Sequence, residues 1–170
     1  MAQLGALCLS NLCATKPFNN KTSGRKLISD KVHNMRITLS DKEFNALMNS
    51  VKGQALDAVW LAASNLAEDV QIEKKLIEKR DIFINILHQL MNAGELLLAK
   101  SGDDTIIYDI PVLEQLELFK RFFPSSEEYA REIGAHDIGT WLVIYDQGFC
   151  PLRPVWIYTL DNGEKYLEWA

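Results

Sequence analysis

The sequence predicts an α+β domain, with helices first and a small C-terminal antiparallel sheet of three strands. Three observations carry that reading. Apolar residues recur at helical spacing from Phe44 to Met91. The period changes after Gly94. The last thirty-odd residues are rich in aromatic and β-branched side chains around Asp161-Asn162-Gly163, a tight-turn signature. With 48% apolar and 24% charged residues, the 170-residue chain has material for one core. That composition excludes a collagen-like, low-complexity or wholly disordered chain.

The first helix opens at Ser40-Asp41-Lys42-Glu43, a capping box in which the Ser40 hydroxyl and Glu43 carboxylate each satisfy a backbone N–H. Leu39 and Phe44 flank it as a hydrophobic staple. The apolar run continues through Leu47, Met48, Val51, Ala55, Ala58, Val59 and Ala62, with Gly53 inside it as a candidate bend. A second helix is expected from about Glu68 to Ala93, closed by Gly94 in the left-handed cap position. The short linker between them suggests an antiparallel helical hairpin.

Leu96-Leu97-Leu98 is a short strand candidate ending at Ser101-Gly102-Asp103-Asp104, and Thr105–Tyr108 is a weaker partner for it. Pro111 fits the first turn of the next helix, with Asp109 before it as a cap and Pro124 as its stop. Ser125-Ser126-Glu127-Glu128 opens a short helix closing near Gly134. Thr140–Tyr145, Val155–Thr159 and Lys165–Trp169 then read as a three-stranded meander.

Charge divides the chain. Residues 1–34 carry five basic residues against one acidic, a net of +4, while the rest carries 13 against 22, or -9. Residues 101–170 alone hold five against thirteen, or -8. The first 34 residues lack periodicity and the basic start of a secretory signal. They read as a disordered extension, or as residues ahead of a natural start at Met35, leaving 35–170 as a single domain. No apolar stretch reaches the ~18 residues of a membrane helix. Cys8, Cys13 and Cys150 are too few for a disulfide framework and favour a reducing, cytoplasmic setting.

Chemistry is sparse. The sequence has no phosphate loop, nucleophile elbow or paired-His metal helix, so no catalytic residue, metal or cofactor is expected. Cys150 with His136 and Asp137 could make a thiol nucleophile with its base, but a buried structural thiol is the expected role. His88, among Ile86, Leu87 and Leu90, is expected at the core boundary. The acidic body disfavours nucleic acid. Its carboxylates suit a basic protein partner, and Asp103, Asp104, Asp109, Glu114, Glu117, Glu127, Glu128 and Asp146 are the candidate contacts. Tyr108, Tyr129 and Tyr145 stand near them as candidate anchors. Trp60, Trp141, Trp156 and Trp169 could cage a small ligand, though core packing is their expected role. Exposed apolar residues at the sheet edge would instead favour a homo-oligomeric adaptor module.

The ordered set Leu56-Asp57-x-x-Trp60, Phe83, Leu87, Gly94-Glu95-Leu96-x-Leu98-Ala99, Gln115-x-x-x-Phe119, Phe123-Pro124, Trp141, Cys150-Pro151, Val155-Trp156, Asn162-Gly163 and Trp169 resembles a small bacterial family of proteins of unknown function, number 596. The departures are the tail before Met35 and a longer Ser101–Ile110 connection. The resemblance implies structural roles for Trp60, Gly94, Gln115, Phe119, Pro124, Trp141, Cys150, Pro151, Trp156, Gly163 and Trp169, and it brings no catalytic residues. Such families often sit beside contact-dependent or polymorphic toxins. The resemblance therefore implies an immunity protein that neutralises a toxin domain encoded upstream.

Overall fold

The computed structural model describes residues 39–69, 76–102, 104–145 and 149–170. The expectations for residues 1–34, Asp103 and Asp146 lie outside them. The described chain holds six helices and three strands: α1 (Asp41–Val51), α2 (Leu56–Asp69), α3 (Leu76–Asn92), β1 (Leu96–Lys100), α4 (Val112–Phe122), α5 (Glu127–Glu132), α6 (Ile138–Val143), β2 (Leu152–Thr159) and β3 (Lys165–Trp169). Helices with a small antiparallel sheet at the C-terminal end are what the sequence predicts. Among the described residues, no helix is long and apolar enough to cross a membrane.

Several local signals act as expected. Ser40 and Glu43 form the reciprocal capping box of α1. At the end of α3, Gly94 takes φ +72°, its N–H bonds to the Met91 carbonyl, and the Glu95 N–H reaches back to Leu90. This is the double closure that a left-handed glycine permits. The Ser126 hydroxyl caps α5 by accepting from the Tyr129 N–H. Gly163, at φ +84°, turns the chain from β2 into β3.

The run read as one helix from Ser40 to Ala62 is two. Val51 ends α1, and Gly53 at φ +78° turns the chain into α2. The turn is held from below. Trp156 Nε1 donates to the Gln54 carbonyl at 2.7 Å, and Lys52 Nζ lies 2.6 Å from Glu95 and 4.7 Å from the Tyr158 ring centre. A Cβ on Gly53 would stand 2.7 Å from the Tyr158 hydroxyl, so any other residue must displace the end of that tyrosine as well as adopt the left-handed φ. The second predicted helix appears as the end of α2 and the whole of α3. These two helices pack on each other through Trp60 and Phe83, whose ring centres are 5.8 Å apart. The connection between them, 70–75, lies outside the described residues.

The sheet is where the prediction fails. Residues 140–145 are not a strand, because 138–143 form α6. Asp137 caps that helix by accepting from the Thr140 N–H at 2.6 Å, and Ile138, Trp141 and Leu142 bury its inner face at i, i+3, i+4. The aromatic and β-branched composition hid this spacing. β1 takes the vacant place, so the order is β1-β2-β3, all antiparallel, with Leu98 opposite Pro154 and Ile157 opposite Leu167. Thr105–Tyr108 forms no strand; Ile106 makes one isolated bridge to Ala99. Asp109 does not cap α4, whose N-cap is Pro111 without a side-chain bond.

The core lies between the helices and the inner sheet face. Its centre is an aromatic cluster in which Trp141 touches Phe119 and Phe123 at ring-centre distances of 6.1 and 5.5 Å, and Phe83 adjoins Phe119 at 5.8 Å. Such tilted and edge-on pairs stabilise beyond their buried area.

Candidate functional site

Beside this cluster the helices leave a pocket of about 890 Å³. The turn after β1 (Lys100–Gly102), the later half of α4, α5 and the segment Phe149–Leu152 wall it. The helical period creates it. Phe119 points into the core, while Leu118, Phe122 and Phe123 line the pocket, Phe123 buried and Phe122 exposed. Trp141 forms part of the wall, with Tyr129 and Ile133 from α5. The lining is mainly apolar, and its volume is that of sites that take a drug-sized ligand or a few side chains.

Two basic residues, Lys100 and Arg121, line the same pocket, and neither has an ion-pair partner among the described residues. Tyr145 also lines it, with a hydroxyl that is buried and makes no hydrogen bond among the described residues. Burial pushes the Tyr145 hydroxyl up to about 12, with the neighbouring Cys150 adding to the rise. The pocket therefore offers an apolar body, two cations and one unused hydroxyl.

Cys150 is fully buried, and its thiol donates to the Leu152 carbonyl at 3.0 Å. Burial pushes this thiol up to about 12 from its ordinary 9.0, which suppresses the thiolate. His136 is exposed and faces Asp137 at 3.3 Å, and Asp137 is occupied with its capping bond. The three residue types that could have made a nucleophile are not assembled. Cys150 lies between α6 and β2.

The acidic candidates separate into kinds. Asp104 pairs with Arg153 at 2.8 Å, Glu117 with Lys120 at 2.9 Å, and Glu128 with Arg131 at 3.1 Å. Glu127 accepts from the Ile138 N–H at 3.0 Å and so helps to start α6. Asp109 and Glu114 are exposed and have no side-chain ion pair among the described residues. Of the candidate anchors, Tyr108 is 71% exposed and Tyr129 45%, whereas Tyr145 is half-buried with Arg153 5.3 Å from its ring centre. The anchor that sequence reasoning missed is Phe122, 58% exposed at the pocket. It reads as core by type, and only its phase on α4 places it outside.

A smaller groove of about 420 Å³ brings Asp57, Glu127 and Asp137 together with Trp60 and Thr140. Each carboxylate is already engaged with a backbone N–H near a helix start. The Thr140 N–H bond leads in holding the Asp137 carboxyl below its usual range. Among the described residues no group of three His, Cys, Asp or Glu is placed to hold a metal ion.

The residues marked by the family resemblance are mostly structural. Trp60, Phe119, Pro124, Trp141, Cys150 and Trp156 are buried. Pro151 is half-buried and accepts from the Ser101 N–H. Gln115 is buried and clamps the preceding loop, its amide donating to the carbonyls of Ile107 and Ile110 at 3.2 and 2.7 Å. Trp169 departs from the core expectation. It stands at the sheet edge, 39% exposed, with Arg153 5.1 Å from its ring centre.

Fold and site thus define a small α+β domain with a large apolar pocket. Residues 91–170 match the model of a family described as Protein of unknown function, DUF596, the family that the sequence resembles. A solved structure of an uncharacterised protein conserved in bacteria, from Neisseria meningitidis, is similar at 23% identity and a TM-score of 0.50. That similarity covers 74% of this chain and 89% of the other, and it shows a shared fold. No curated protein matches the chain.

Proposed function

We propose that the protein is a non-enzymatic, cytoplasmic binding protein that docks a basic protein partner at the pocket face of α4 and α5. An immunity protein neutralising a toxin domain encoded upstream is the form of this reading. The observation that carries it is the pair Phe122 and Tyr129, large aromatics left exposed at the mouth of an apolar pocket. Soluble domains rarely expose adjoining aromatics without use, and buried aromatic anchors dominate binding energy at interfaces. Glu114, Glu117 and Glu128 on the same two helices supply the charge that steers a basic partner. Because Glu117 and Glu128 are already paired, the aromatics set affinity and the carboxylates set association rate.

The test is calorimetric titration with the domain encoded immediately upstream. Phe122→Ala and Tyr129→Ala should each weaken binding by about tenfold or more, the effect of losing an anchor worth over ~1.4 kcal/mol. Glu114→Lys with Asp109→Lys should slow association and flatten its salt dependence. Undiminished binding by the two alanine variants would overturn the reading.

A second reading is favoured by Lys100, Arg121 and the unused Tyr145 hydroxyl: a small amphipathic anion seated against Trp141. Decanoate should then raise the melting temperature where decanol does not, and Arg121→Ala should remove the difference. Equal shifts from both would reject a specific anion site.

A further inference from the structure

β3 is an edge strand whose five residues are all exposed, including Tyr166, Leu167 and Trp169. The direction of its unused backbone groups follows from its pairing with β2. The Leu160 N–H donates to the Glu164 carbonyl, and the Ala170 N–H to the Pro154 carbonyl. With Tyr158 opposite Tyr166 and Trp156 opposite Glu168, the hydrogen-bonded positions on this side are 164, 166, 168 and 170. The N–H and C=O groups of Lys165, Leu167 and Trp169 therefore face the open edge.

An open edge can pair with any strand, but its own residues select among occupants. Two identical strands pairing antiparallel about a two-fold axis must place one residue opposite itself, because hydrogen-bonded and open pairs alternate. The axis can pass through an outward-facing residue in a hydrogen-bonded pair (165, 167 or 169) or through 166 or 168 in an open pair. Glu168 at the centre would set carboxylate against carboxylate, and Tyr166 would leave Glu168 and Trp169 beyond the partner strand. Lys165 at the centre would set ammonium against ammonium, which is unfavourable. Trp169 at the centre leaves little strand to overlap. Leu167 at the centre uses all five residues. It puts Leu167 on Leu167 and Lys165 opposite the second copy's Trp169, where a cation meets an aromatic face. Tyr166 then meets the second copy's Glu168. Lys165 has no ion-pair partner among the described residues, so its charge is free for this contact.

We propose that β3 is the seam of a homodimer, in which two copies join their sheets into six strands about an axis at Leu167. No residue of β3 lines the pocket beside α4 and α5. Each copy therefore keeps its own docking site, and the dimer is bivalent.

Sedimentation equilibrium and cysteine cross-linking test this on the full chain, with Cys8 and Cys13 replaced by Ser. The mass should rise toward twice that of one chain with concentration. Leu167→Lys should return it to the single-chain mass, and at dilutions where both chains are monomeric it should leave the melting temperature unchanged, since the side chain is exposed. Leu167→Cys should oxidise to a covalent dimer, because facing Cα atoms in a hydrogen-bonded pair lie about 5.5 Å apart, within disulfide reach. Lys165→Cys should not, since its twin lies four strand positions away. A single-chain mass at every soluble concentration would overturn the proposal. So would a dimer untouched by Leu167→Lys, or cross-linking by Lys165→Cys as efficient as that by Leu167→Cys.

Discussion

The aromatic cluster around Trp141 and the strand β3 are built from the same residue types and behave oppositely. Trp141 is 1% exposed and wedged between Phe119 and Phe123, whereas Trp169 is 39% exposed and touches Arg153 and solvent. Both tryptophans belong to the family pattern. The difference teaches that a marked aromatic in this fold has two uses: one closes the core, and the other covers an edge. Packing decides which, because only the first is almost wholly covered by neighbouring side chains.

The sharpest way to break this contrast is truncation. Trp141→Ala should cost about 3–5 kcal/mol, since removing a fully buried ring leaves a cavity among Phe119 and Phe123. Trp169→Ala should cost under about 1 kcal/mol, within the usual range for an exposed position. Urea denaturation of both variants measures the gap, and equal losses would erase the distinction.

A second way concerns the turn under the sheet. Gly53→Ala should destabilise by roughly 2 kcal/mol, combining a left-handed backbone with the approach of the Tyr158 hydroxyl. Gly163→Ala has the same sign of φ but open space around its Cβ, so it should cost less. Thermal melts of the pair separate strain from crowding.

Alkaline titration sharpens the comparison from the core side. The Cys150 thiol and Tyr145 hydroxyl are both raised in the folded protein, each to about 12. Groups that lose protons more readily when unfolded stabilise the fold at low pH and cease to do so as pH rises. Stability should therefore hold below about pH 9, the ordinary value for the thiol, and fall between there and about pH 12. The slope is limited to about 1.4 kcal/mol per pH unit for each group. Cys150→Ala should flatten the fall, measured as melting temperature against pH. The smallest effect belongs to the surface. Asp104→Asn, which breaks the pair with Arg153, should change stability by no more than about 1 kcal/mol.

Much of this architecture was legible because local chemistry agreed with it. The Ser40–Glu43 box, the Gly94 closure and the Asp161–Gly163 turn each act through a few adjacent residues. What was misread depends on distant partners. Thr140-Trp141-Leu142-Val143 has strand composition, yet Asp137 caps it and the aromatic cluster receives it as a helix. The sheet's first strand is drawn from Leu96–Lys100, more than fifty residues before β2, and no hairpin signal announces such a pairing. The pocket was invisible for the same reason. Lys100, Arg121 and Tyr145 are scattered in the chain, and only packing makes them neighbours of one cavity. The acidic candidates were legible as charge, but their pairing with Arg153, Lys120 and Arg131 was not.

The bond from Trp156 to the Gln54 carbonyl spans 102 residues of sequence. Closing so long a loop carries a large entropic cost before any contact rewards it, which places this docking late in folding. During synthesis the α1–α2 turn leaves the ribosome long before its cover does. Its carbonyl must stay hydrated, and the underside of the early helices open, until the β2 tryptophan has emerged. The early helices are therefore most vulnerable to proteases and to mispairing in the interval before β2 emerges.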